Sequence, residues 1–240
     1  MRKHISLLLC FVMFLVCVSG CSYHPPEGWT AQHHTYAEVL AFAKSLDPNA
    51  TVSEAYTDTT DEYDWQFREW DAVIHGVDCH VASVADLVWN DGFLAGEFAR
   101  FYYRIDTDYD YVVLQQILLE DYPDWAAGQS IRSKYRSNTD SILVKPVSPE
   151  YRMLSDGELE QVWQTTSQIH AQYEKLSISR NAVFCVPAPC KYYSSREEVY
   201  IVKKDGYAYI QTFTEQGKSE FLQEYKEDWD LLNSGLPIRE

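Results

Sequence analysis

Positive charge is scarce in this chain. Its 240 residues carry 20 Lys and Arg against 36 Asp and Glu, a formal net charge of −16 at pH 7. No basic stripe follows residue 3. Phosphate backbones are held by clustered Lys and Arg, so the charge disfavours nucleic acid and none is expected as a partner. The same deficit excludes electrostatic attraction to anionic lipid headgroups, so any membrane attachment needs another source. Catalytic signatures are missing too. There is no G-x-S-x-G, no H-E-x-x-H, no S-x-x-K and no glycine-rich dinucleotide fingerprint. Gly217-Lys218-Ser219 imitates the end of a phosphate loop, but Thr212 stands where the loop requires Gly. These patterns imply no cofactor.

What is present begins at the amino terminus. Arg2 and Lys3 precede an unbroken apolar run, Leu7 to Val18, followed by Ser19 and Gly20. A bilayer-spanning helix takes about 20 apolar residues, so this run is short for a span and has the layout of a secretory signal peptide over residues 1–20. Val18-Ser19-Gly20-Cys21 resembles the lipobox of bacterial lipoprotein precursors. That resemblance covers the first 21 residues. It implies cleavage before Cys21 and a diacylglyceryl thioether on its sulfur. Two or three acyl chains hold a protein stably on a membrane where one does not. Cleavage takes Arg2 and Lys3 away, so 18 basic residues remain against 36 acidic ones, a net charge of −18. Residues 21–34 contain Pro25-Pro26 and Gly28, lack periodicity, and read as the lipidated Cys and its tether.

Six cysteines suggest three disulfides until they are sorted. Cys10 and Cys17 leave with the signal peptide and Cys21 is the lipid site. Cys185 and Cys190 bracket "VPAP", a spacing that allows a small bridged loop in an oxidising compartment. Cys79 reads as a small core residue.

Residues 35–240 form the globular region, with the mixed stretch 123–153 as the candidate internal boundary. Thr35 with Glu38, and Ser155 with Glu158, are capping boxes that start helices over 35–46 and 156–176. Further helices are expected from the apolar spacing at Val113, Leu114, Ile117 and Leu118, and over 217–233. Strands are expected at 51–57, at 77–83, at 98–105 and at 182–187. Trp65 and Phe67 share one parity and Trp70, Ala72 and Ile74 the other, which predicts a bulge near Arg68 or Glu69. His75-Gly76 and Asp205-Gly206 read as hairpin turns. The predicted class is α+β with mostly antiparallel strands, arranged as two similar α-β-β-β-α halves.

The stretch "DTDYD" places Asp106, Asp108 and Asp110 on alternate positions, as in a calcium loop. Such a loop needs Gly at its sixth position and Glu at its twelfth, and these are Tyr111 and Ile117. The aspartates therefore read better as a strand-to-helix junction in which Thr107 or Asp108 caps the helix. His75, Cys79 and His80 lack the further ligands of a zinc site, and Cys79 and His80 point to opposite faces of a strand. The cluster Asp58, Asp61, Glu62 and Asp64 reads as a solvated loop, and His33-His34 as part of the tether. Trp65, Trp70, Trp163 and Trp229 fall on apolar faces. Trp89, Trp125 and Tyr192-Tyr193 are the aromatics expected at the surface, where such side chains stack on sugars or anchor proteins.

The expectation is a lipid-anchored, extracytoplasmic, non-enzymatic binding module of the cell envelope. Its partners are the membrane, through the lipid on Cys21, and an envelope protein, a glycan or a small solute. The alternative is a lipid-anchored hydrolase of envelope polymers that uses carboxylates.

Overall fold

Thr35 starts the first helix as its sequence predicts. A computed structural model describes residues 28–61, 65–88, 100–128, 135, 141–194 and 199–239. Residues 1–20, Cys21, Glu62, Asp64 and Trp89 lie outside these. The protein is α+β, with helices and two mostly antiparallel sheets. It divides into two compact units between Asp106 and Thr107. The division therefore does not fall in 123–153. That stretch supplies two paired strands to the second unit, and pairing ties it into one sheet despite its loop-like composition.

In the first unit, α1 (Tyr36–Leu46) opens with a reciprocal capping box. The Glu38 N–H donates to Thr35 Oγ1 at 3.4 Å, and the Thr35 N–H donates to the Glu38 carboxylate at 2.7 Å. Val39 and Ala43 form its fully buried stripe. The helix lies against a sheet whose strands follow chain order: β1 (Thr51–Thr60), β2 (Gln66–Ile74), β3 (Val77–Val88) and β4 (Arg100–Thr107). The parity change at Phe67 and Trp70 is real, since both are buried. The bulge, however, lies in β1 between Val52 and Tyr56, while β2 pairs with β3 without a break. The turn at His75-Gly76 has φ 49° and 77°, the paired positive values of a type I′ turn. The Asp47 carboxylate accepts the His75 N–H at 2.7 Å and the Asn49 N–H at 2.9 Å, so the end of α1 holds that turn.

The second unit begins with α2 (Tyr109–Asp121), then β5 (Trp125–Ala127), β6 (Ser141–Pro146), α3 (Asp156–Tyr173), β7 (Asn181–Ser194), β8 (Val199–Ile210) and α4 (Glu215–Asp230). A short 3-10 turn and β9 (Ile238–Arg239) follow. The sheet order is β5-β6-β7-β8-β9, with β6 parallel to β7 across the crossover helix α3. Side chains alternate across strands. Ile142, Val144, Phe184, Val186, Ala208 and Ile210 thus share one buried face. Phe213 seals it, 5.6 Å from Phe184 and 5.4 Å from Trp163 between ring centroids. Among the described residues no helix is long and apolar enough to cross a membrane.

Two expectations fail here for one reason. Asp205-Gly206 is not a turn: β8 runs through it and pairs with β7 along its length. The pairing shifts by one residue between Ala188 and Cys190, so Gly206 sits at a bulge. A Cβ on Gly206 would stand 2.5 Å from Cys190 Sγ and 2.9 Å from the Ala188 carbonyl oxygen, so close approach explains the glycine. β7 likewise runs straight through "CVPAPC". Five residues of strand separate Cys185 from Cys190 by about 16 Å, and a bridge needs Cα atoms within about 7 Å. Both thiols are free. With one long hairpin in place of three strands, and a parallel pair beside it, the two halves do not repeat an α-β-β-β-α plan.

Candidate functional site

The end of β1 and the start of β2 form an exposed polar corner in the first unit. Antiparallel register sets Asp58 opposite Arg68 and Thr60 opposite Gln66. The segment before α1 closes over this corner. Trp29 packs edgewise on Trp65 at 5.4 Å, the Ala31 N–H donates to Gln66 Oε1 at 3.0 Å, and the His34 N–H donates to Ser83 Oγ at 3.0 Å. Residues 29–34 are therefore packed wall rather than tether, because an indole and a buried Ala31 anchor them. The result is a cavity of about 470 Å³ lined by Thr30, His33, Asp58, Thr59, Thr60, Gln66 and Arg68.

Arg68 grips Asp58 with both prongs, Nε to Oδ1 at 2.7 Å and Nη2 to Oδ2 at 3.0 Å. Its guanidinium lies 3.9 Å from the centre of the Tyr56 ring. The Arg68 hydrogen bonds hold the Asp58 carboxyl below its usual range, and Asp58 in turn raises Arg68. Burial, and then the charge of Arg68, push the His33 imidazole below its ordinary value, so it is neutral at pH 7. Its Nδ1 is buried and has no hydrogen-bond partner among the described residues. The lining thus combines a neutral imidazole, a self-neutralised Arg–Asp pair, an amide and hydroxyls. Among the described residues it offers donors and acceptors without net charge.

The three aspartates do not form one site. Asp106 pairs with Arg104. Asp108 is buried at the N-cap of α2 but makes no side-chain cap bond; Thr107 Oγ1 accepts the Tyr109 N–H instead, at 3.2 Å. Asp110 accepts the N–H groups of Ile178 (2.6 Å), Ser179 (3.0 Å) and Arg180 (2.9 Å), and the Ser179 hydroxyl (3.1 Å). Those bonds occupy its lone pairs and fix the loop that leads into β7. Among the described residues no three His, Cys, Asp or Glu side chains are grouped to hold a metal ion.

Other expected positions divide. Trp65, Trp70 and Trp163 are buried, and Trp229 is half-buried against Tyr225 at 6.4 Å. Tyr193 is exposed and pairs across the hairpin with Tyr200. Trp125 is half-buried, in a T-shaped contact with Phe184. Cys79 is buried, and His80 faces Asp71 at 3.5 Å. Asp61 is not solvated: it is buried, and its carboxylate accepts the Trp65 N–H at 2.9 Å. Burial lifts the Cys185 thiol to about 11 and raises Cys190, which leaves both protonated at neutral pH. The cavity brings together His33 and Arg68, which lie 35 residues apart in the sequence. The alternation of β1 and β2 signals Arg68, while nothing local signals His33. No family model, curated protein or solved structure matches the chain.

Proposed function

We propose that this chain is a lipid-anchored, extracytoplasmic binding module whose ligand is a neutral polyhydroxylated molecule, a glycan of the envelope or a sugar-like solute. Cys21 is its lipid attachment site. The observation that carries the ligand class is the charge-balanced polar lining of the cavity, in which Thr30, His33, Thr59, Thr60 and Gln66 surround the Arg68–Asp58 pair. Sugars need mixed donors and acceptors and no counter-charge. Thr30, Gln66 and the Arg68–Asp58 pair supply these, and Tyr56, 52% exposed, gives an aromatic face beside them. Among the described residues Asp58 is the one carboxylate of the lining, and it is held ionised by Arg68. Two-carboxylate hydrolysis, which needs a second, protonated acid, gains no support there.

Two experiments test the two parts. Cells expressing the full chain are fed an alkynyl fatty acid. Labelling that disappears in Cys21→Ser supports the anchor, and labelling that persists overturns it. The full chain in non-ionic detergent is then titrated with maltotriose, xylotriose and chitotriose, with a galacturonate trimer as the anionic control. Saturable binding of a neutral trimer, lost in Arg68→Met, supports the ligand class. Binding of the anion alone, or of none, overturns it.

A further inference from the structure

A second concavity lies wholly within the second unit. Two adjoining cavities, about 340 and 360 Å³, share Pro123, Asp124, Trp125, Leu154 and Val162 as their common wall. They form one groove between the turn after α2, the segment leading into α3, and α3 itself.

The groove is held in shape from several directions. The Trp125 N–H donates to the Tyr122 carbonyl at 3.0 Å, and the Val147 N–H donates to the Asp124 carbonyl at 2.8 Å, which fixes the turn. Arg152 bridges Glu150 at 3.0 Å and Glu158 at 2.6 Å, and so clamps the approach segment to α3. The Leu154 N–H donates to the Tyr225 hydroxyl at 3.0 Å. Trp125 meets Phe184 in a T-shaped contact, 6.0 Å between centroids. A groove shaped before the ligand arrives loses less free energy on binding.

Among the described residues the charge of its lining is of one sign. Asp121 and Asp124 belong to the lining and are exposed, and neither forms an ion pair among the described residues. The nearby cation, Arg152, is already shared between two glutamates. Among the described residues no Lys or Arg lines either cavity. An indole wall beside unpaired carboxylates attracts a cation twice, through the ring face and through Coulomb attraction.

We infer that this groove binds a small organic ammonium ion, with its charge against Asp124 and its apolar body along Trp125, Leu154 and Val162. The site is separate from the His33 cavity, and neither depends on the other. The test is isothermal titration of the full chain in non-ionic detergent with two probes, benzyltrimethylammonium and benzyl alcohol. The cation is expected to bind about tenfold or more tightly than the alcohol, the factor that corresponds to about 1.4 kcal/mol. Asp124→Asn is exposed and keeps the fold; it should weaken the cation about fivefold and leave the alcohol unchanged. Trp125→Leu should remove the preference for the cation. Equal affinity for the two probes, wild-type cation affinity in Asp124→Asn, or no cation binding at millimolar concentration would each overturn the assignment.

Discussion

Asp110 holds the backbone of Arg180 across seventy residues of sequence, its carboxylate accepting that N–H at 2.9 Å. It holds Ile178 and Ser179 in the same grip. One side chain in the first turn of α2 therefore sets the loop from which the central strand β7 departs. Asp110→Ala strands three N–H groups. At about 1–3 kcal/mol for a buried unsatisfied donor, partly relieved by water, a loss of about 3–5 kcal/mol is expected. Denaturant unfolding of the second unit measures it, and a loss under about 0.5 kcal/mol would show that the loop stands by itself. Calcium should leave the unfolding midpoint of the wild type unchanged, since these bonds already use the oxygens a cation would need.

Gly206 and Cys190 are placed too close for a methyl group between them. Gly206→Ala should destabilise the protein by about 1–3 kcal/mol, the usual cost of overpacking. Much of the clash involves Cys190 Sγ and Cβ, and the Ala188 carbonyl contributes the rest. Cys190→Gly in the same chain should therefore recover part of the loss and not all of it. Equal melting temperatures for wild type and Gly206→Ala would mean that β8 bends at residue 206, as an Asp-Gly turn would.

The thiols give a chemical check on the strand. Denaturation in an alkylating reagent without reductant should modify both Cys185 and Cys190. A mass two hydrogens short on the peptide that carries them would show a bridge, and would contradict a continuous β7.

Asp228 supplies a pH dependence. Burial, then Glu224 and Glu227, push its carboxyl up to about 6. A raised folded value means that the ionised form is disfavoured in the fold. The stability it contributes is complete below the ordinary carboxylate value and is lost as pH rises through about 6. Asp228→Asn should thus be more stable than wild type above pH 6, on the order of 1 kcal/mol after solvent screening of this half-buried group. The difference should vanish near pH 4. A constant difference from pH 4 to pH 8 would remove the ionisation from the explanation.

The sequence was most legible where local chemistry decides structure. Both capping boxes form, because Thr35 and Ser155 need only a Glu three residues on. The class and the core tryptophans follow from periodicity. Legibility failed where a distant partner overrides a local signal. Asp-Gly favours a turn, yet at 205–206 the pairing with β7 and the contact with Cys190 make it a bulge. Asp110 looked like a ligand or part of a strand-to-helix junction, and its partners lie near residue 180. The His33 cavity depends on Trp29 and Ala31 meeting Trp65 and Gln66, contacts that no spacing encodes.

The central claim is that the polar cavity beside His33 holds an uncharged ligand through Arg68 and the hydroxyls around it. The direct measurement is the affinity of the full chain in detergent for the best-binding neutral trisaccharide, compared among wild type, Arg68→Met and Thr60→Val. Met removes the guanidinium donors, and Val removes one exposed hydroxyl of the wall. The expected result is about tenfold weaker binding for Met and about threefold weaker binding for Val. Wild-type affinity in Arg68→Met would contradict the claim.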